Sequence, residues 1–151
     1  MALKTNPQKT MDELINQLIE DEIFLHNYTT IENTAKPNYD AKLTVKIGKN
    51  INKSLEIILH SEEGRSKFQK LLEHTDAFIR FIGARYLYPM NPSQYMEQII
   101  KYKNSLTDKL EISNLNDLIN GLNSKQGIFI EQYKKLYGYD DFENINQEMN
   151  K

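Results

Sequence analysis

The part of this chain that most constrains its fold is residues 76–87, Asp-Ala-Phe-Ile-Arg-Phe-Ile-Gly-Ala-Arg-Tyr-Leu. Asp76 is placed to cap a helix in which Ile79, Gly83 and Leu87 recur at helical spacing. Phe78, Ile82 and Tyr86 form one further flank, and Phe81 and Tyr88 another. The helix is therefore apolar nearly all round and belongs at the centre of a core. The small pair Gly83 and Ala84 lets a neighbouring helix come close. Arg80 lies four residues past Asp76, within pairing reach. A helix carrying Phe68, Leu71 and Leu72 ends at His74-Thr75, immediately before Asp76, and so tight a connection makes the two helices antiparallel neighbours.

The rest of the chain reads as helix on the same grounds. Met11, Leu14, Ile15, Leu18 and Leu25 follow helical spacing behind a Thr10 cap, which predicts a first helix over residues 10–33. Pro37 suits the start of a second, whose apolar stripe is Leu43, Ile47, Ile51, Ser54 and Ile58. His60, Ser61 and Gly64 punctuate before the Phe68 helix. Pro89 and Pro92 stop the central helix, and a fifth resumes over residues 93–103 through Tyr95, Met96, Ile99 and Ile100. Leu106, Leu110 and Ile112 fit an extended connection, so residues 104–113 are read as a loop. Asn114 then caps a sixth helix carrying Leu115, Leu118, Ile119 and Leu122. A seventh uses Ile128, Phe129, Tyr133 and Leu136 and ends at Gly138. Residues 139–151 form a polar, acidic tail with few apolar groups to offset the entropy of ordering, so a flexible tail behind a single domain over residues 1–138 is expected. No segment demands strand pairing.

Composition narrows the functional classes. A chain of 151 residues with 39% apolar and 26% charged residues fits one water-soluble domain. A net charge of -2 gives no overall surplus of Lys and Arg for neutralising phosphates, so a dedicated nucleic-acid binder is not expected. The absence of cysteine rules out a disulfide, a thiolate metal site and a cysteine nucleophile. The first ten residues contain no apolar h-region, and no window reaches the roughly 18 apolar residues of a membrane span. A cytoplasmic protein without membrane attachment is the expectation.

Residues 65–103, with Leu71-Leu72-x-His74-x-Asp76, Ile79-Arg80, the small pair Gly83-Ala84 and Leu87, resemble a HEAT-type repeat. Together with the helix bearing Lys46 to Asn52, they are similar to a small bacterial family catalogued among domains of unknown function as number two thousand and nineteen. The resemblance covers about half to two thirds of the chain. It implies an all-α fold, a HEAT-like α-α superhelix of about five to seven antiparallel helices, and carries no activity with it. Gly83 stands where that family has alanine, and the sequence beyond Asn104 departs from its usual ending.

Candidate chemistry is sparse. His26, His60 and His74 are the natural acid-base groups and metal ligands, and a three-histidine site in a helical core is the basis of an alternative reading as a metal-dependent or acid-base enzyme. Their spacing matches no metal-hydrolase motif, and each is as readily explained by local bonds. No cofactor is expected. Asp12-Glu13, Glu20-Asp21-Glu22 and Glu62-Glu63 read as solvated acids near helix starts or on exposed faces. No phosphate loop, nucleophile elbow or EF-hand pattern occurs.

Two surface features are sharper. Lys42, Lys46, Lys49 and Lys53 align along one edge of the second helix, opposite its apolar stripe. Arg80, Phe81, Arg85 and Tyr88 combine arginine with aromatic groups, the composition of interface hot spots, although a neighbouring helix of the same chain would account for the aromatics equally well. The sequence thus points to a non-enzymatic module that binds another protein, with an immunity-type or antitoxin-like inhibitor as the specific form suggested by small size and acidic balance.

Overall fold

A computed structural model describes residues 9–124, 128–138 and 142. Among them the chain is all helical, with no strand. The helices are α1 (Met11–Tyr28), α2 (Ile31–Thr34), α3 (Ala41–His60), α4 (Glu62–Gln69), α5 (Ala77–Leu87), α6 (Pro92–Asn104), α7 (Lys109–Asn123) and α8 (Ile128–Tyr137). Two 3-10 turns, Lys70–Glu73 and Tyr88–Met90, lead into and out of α5.

Short polar side chains set most of the boundaries. Thr10 accepts the Glu13 N–H at 3.2 Å and opens α1. The expected helix over residues 10–33 is divided, because the Thr29 hydroxyl donates to the Leu25 carbonyl at 2.7 Å while Thr30 caps the separate short α2. Pro37 lies outside α3, whose cap is Asp40, accepting from Lys42 and Leu43 at 3.0 and 3.4 Å. Residues 104–113 are largely helix, contrary to the loop expected there. Asp108 accepts the Glu111 N–H at 2.9 Å, so α7 begins at Lys109 and Asn114 falls inside it. An Asp followed three residues later by Glu is a capping signal, and it outweighs the extended look of Leu110 and Ile112.

Around α5 the expected signals operate as read. Asp76 accepts from Phe78 and Ile79 at 2.8 and 3.3 Å; such a cap contributes about 1 kcal/mol. Arg80 does not pair with Asp76. Its Nη1 bonds the carbonyls of His74 and Thr75 at 2.6 and 2.9 Å and so satisfies the end of the preceding 3-10 turn. That turn presses on α5 at Gly83, where an added Cβ would meet the Leu71 Cβ at 3.2 Å. Pro89 has no N–H, which deprives the Arg85 carbonyl of its donor four residues on. The Tyr133 hydroxyl fills that place at 2.5 Å, and the Tyr137 hydroxyl does the same for the Tyr86 carbonyl, also at 2.5 Å.

The core forms where α1, α3, α4, α5, α6, α7 and α8 turn their apolar faces inward. Leu18, Leu55, Ile58, Leu59, Phe68, Ala84, Leu87, Ile99 and Tyr137 are fully enclosed. Residues Ile51, Ser54 and Ile58 of the expected α3 stripe are buried and Leu43 and Ile47 half-buried, and α5 is central as its composition demands. α3 packs against α1 and α4, and also against α8 from the other end of the chain. In a solenoid each repeat touches only its neighbours; the contact of α3 with α8 instead closes these helices around one core. The helix α8 ends where Gly138 takes a φ of +88°, a left-handed conformation natural to glycine. The expected tail over residues 139–151 lies outside the described residues except for Phe142, which is buried and donates its N–H to the Gly138 carbonyl at 2.9 Å.

Candidate functional site

A cleft of about 640 Å³ is bounded by α1, α5, α6 and α7, with Thr44 of α3 and Phe129 of α8 at its margins. Its aromatic wall is built by α5 and α6. Phe81 and Tyr102 stack with centroids 4.7 Å apart and planes 15° apart, and Phe78 lies 6.1 Å from each. His26 of α1 extends this wall, 4.4 Å from Phe78, and its Nε2 is 3.5 Å from Glu111 Oε1 of α7. Leu25, Leu115 and Leu118 complete the apolar lining.

Charge enters the cleft from Arg85 and from the carboxylates of Glu22, Glu111 and Asp117. The Tyr86 hydroxyl donates to Glu22 Oε1 at 2.5 Å, across 64 residues of sequence. Glu22 is therefore not the freely solvated acid expected of the run over residues 20–22. Arg85 lies with its guanidinium carbon 5.1 Å from the Tyr86 ring centroid. Among the described residues no carboxylate forms a salt bridge with it. It is half-buried and lines the cleft. The nearby Tyr86 oxygen raises its affinity for its proton; enclosure acts in the opposite direction, and Glu22 and Tyr133 reinforce Tyr86.

The tyrosines behind this site are held in their neutral form. Burial, foremost, pushes the hydroxyls of Tyr86, Tyr133 and Tyr137 well above their ordinary range, and burial together with Glu111 and Asp76 raises Tyr102 to about 12. A raised folded-state value makes the protonated hydroxyl a source of stability that is complete below the unfolded value of about 10 and lost as pH climbs through the folded values. Denaturant unfolding followed across alkaline pH should accordingly show stability falling above about pH 10. Tyrosinate absorbance from the buried groups should rise together with the unfolding signal, and early ionisation in a still-folded chain would contradict this account.

The other expected positions are distributed differently. His60 is exposed at the end of α3, and His74 accepts the Asp76 N–H through Nδ1 at 3.0 Å. His26, His60 and His74 do not converge. Among the described residues no three His, Asp or Glu side chains gather where a metal ion could be held. The supposed Arg80–Tyr88 recognition flank is largely occupied by the chain itself: Phe81 is buried against Tyr102, Tyr88 stacks 6.3 Å from Tyr133, and Arg80 is engaged as described. Of the four, Phe81 and Arg85 line the cleft. By contrast Lys42, Lys46, Lys49 and Lys53 are all exposed on α3. They fall within an arc of roughly 60° over about 16 Å of helix. Among the described residues none of the four has a carboxylate partner. Val45 and Ile57, 57% and 53% exposed, flank the row on either side.

The cleft was not legible beforehand, because its walls come from four helices whose relative placement no local pattern encodes. No protein-family model matches the chain, and neither a curated protein nor a solved structure matches it. Among the described residues no helix is long and apolar enough to cross a membrane.

Proposed function

We propose that this chain is a non-enzymatic protein-binding module that presents the lysine row of α3 to an acidic partner protein. The observation that carries the reading is that Lys42, Lys46, Lys49 and Lys53 share one exposed face with no carboxylate partner among the described residues. Like charges three and four residues apart on a helix repel, by a few tenths of a kcal/mol per pair. Carboxylates on a partner would offset that repulsion, and the exposed Val45 and Ile57 supply apolar contact beside it. The narrower form, a stoichiometric inhibitor of the immunity or antitoxin kind in a bacterial cytoplasm, rests on small size and acidic balance.

Affinity capture with identification of the retained protein tests the proposal. The wild type should retain an acidic protein that the combined Lys46→Glu, Lys49→Glu and Lys53→Glu variant retains about tenfold less or worse, since three rim charges are reversed. Raising the salt concentration should release the partner from the wild type. Equal recovery by the two chains, or recovery of nothing by either, would falsify the role of the row.

A further inference from the structure

We propose that the cleft bounded by α1, α5, α6 and α7 binds a small organic monocarboxylate with an apolar or aromatic body, its carboxylate on Arg85 and its body along Phe78, Phe81 and Tyr102. Three observations converge on that chemistry. The volume, about 640 Å³ in a half-open cleft, is in the range that a small molecule fills. The wall is a continuous aromatic cluster, with Phe81 and Tyr102 stacked at 4.7 Å, which offers flat apolar area to a ligand body. Arg85 lines the cleft with no salt bridge among the described residues, its guanidinium carbon 5.1 Å from the centroid of the Tyr86 ring.

A half-buried guanidinium without a bidentate partner can take one, because its planar fork of donors matches a carboxylate. Glu22, whose Oε1 accepts from the Tyr86 hydroxyl, supplies a nearby negative charge to Arg85 but forms no salt bridge with it. The same cleft sets an upper limit on ligand charge. Glu111 and Asp117 also line it, so a phosphate dianion or a dicarboxylate would place its second charge against these carboxylates. A single negative charge on an apolar body meets both requirements.

Titration calorimetry of the full chain with 4-phenylbutyrate tests this, with the neutral 4-phenylbutyramide and the cationic 4-phenylbutylamine as matched probes. The acid is expected to bind at least tenfold more tightly than either. Arg85→Met should weaken the acid by tenfold or more and leave the amide unchanged. Arg85→Lys, which keeps the charge but not the fork, should fall between. Comparison of the three probes on the wild type needs no variant to fold, so the proposal stays exposed even if Arg85→Met does not. Tighter binding of the amine, equal binding of acid and amide, unaltered acid binding by both Arg85 variants, or no acid binding by the wild type at millimolar concentration would each overturn it.

Discussion

Gly64→Ala should lower the stability of this protein by about 3 kcal/mol, the upper end of the cost of forcing extra atoms into a closed space. The helices α3 and α4 are joined through Ser61 alone, whose hydroxyl accepts the Gly64 N–H at 2.9 Å and starts α4. This sharp reversal brings Gly64 against the last turn of α3. A Cβ built there would lie 1.9 Å from the Ile58 carbonyl oxygen and 2.7 Å from its carbon. Both atoms are backbone, and Ile58 is fully buried, so neither neighbour can turn aside. The usual helix-propensity gain of alanine over glycine, about 1 kcal/mol, is too small to compensate. Gly48→Ala provides the contrast, because it adds the same methyl to α3 where nothing lies within 4 Å. That variant should be as stable as the wild type or gain up to about 1 kcal/mol. Thermal unfolding would separate the pair, with Gly64→Ala melting about 9 °C lower; equal midpoints for the two variants would refute the account.

Phe68→Ala should cost about 3 to 5 kcal/mol, a large share of the stability of a domain of this size. Phe68 has no exposed surface and meets Tyr86 edge-on, with centroids 6.4 Å apart. Removing the ring leaves a cavity beneath the side chain whose hydroxyl holds Glu22. Phe68→Leu retains most of the volume and should cost less, about 1.5 kcal/mol. Urea denaturation with both variants is the direct measurement, and a loss under about 1 kcal/mol for Phe68→Ala would mean that the site collapses around the gap. If the truncated chain still folds, the tie between Tyr86 and Glu22 is expected to loosen, visible as a shift in the Glu22 side-chain carboxyl resonance.

These two sites also mark how far the sequence could be read. The break at Ser61, the cap at Asp76, the close approach at Gly83 and the stops at Pro89 and Gly138 all depend on a few adjacent residues, and each appears where the local pattern places it. The α3 stripe was legible for the same reason, since periodicity reports which face turns inward. Periodicity does not report which inward faces meet. Glu22 and Tyr86, or Arg85 and Tyr133, are brought together only when α1, α5 and α8 have assembled, so the cleft and its charges had no sequence signature. Even a local expectation could resolve to the wrong partner: Arg80 was within reach of Asp76, but the carbonyls of His74 and Thr75 were closer and lacked donors. The loop expected over residues 104–113 shows the same limit, because one capping aspartate decided between two readings of Leu110 and Ile112.

The hydroxyls of Tyr133 and Tyr137 reach back 48 and 51 residues to the carbonyls at the end of α5. During synthesis those carbonyls emerge from the ribosome long before their donors do. Until α8 clears the exit tunnel, the end of the central helix must remain hydrated, and the face of α3 that α8 covers stays open. Assembly of the native core thus waits until α8 has been made, and a nascent chain stalled short of it would present a sticky surface to holding chaperones.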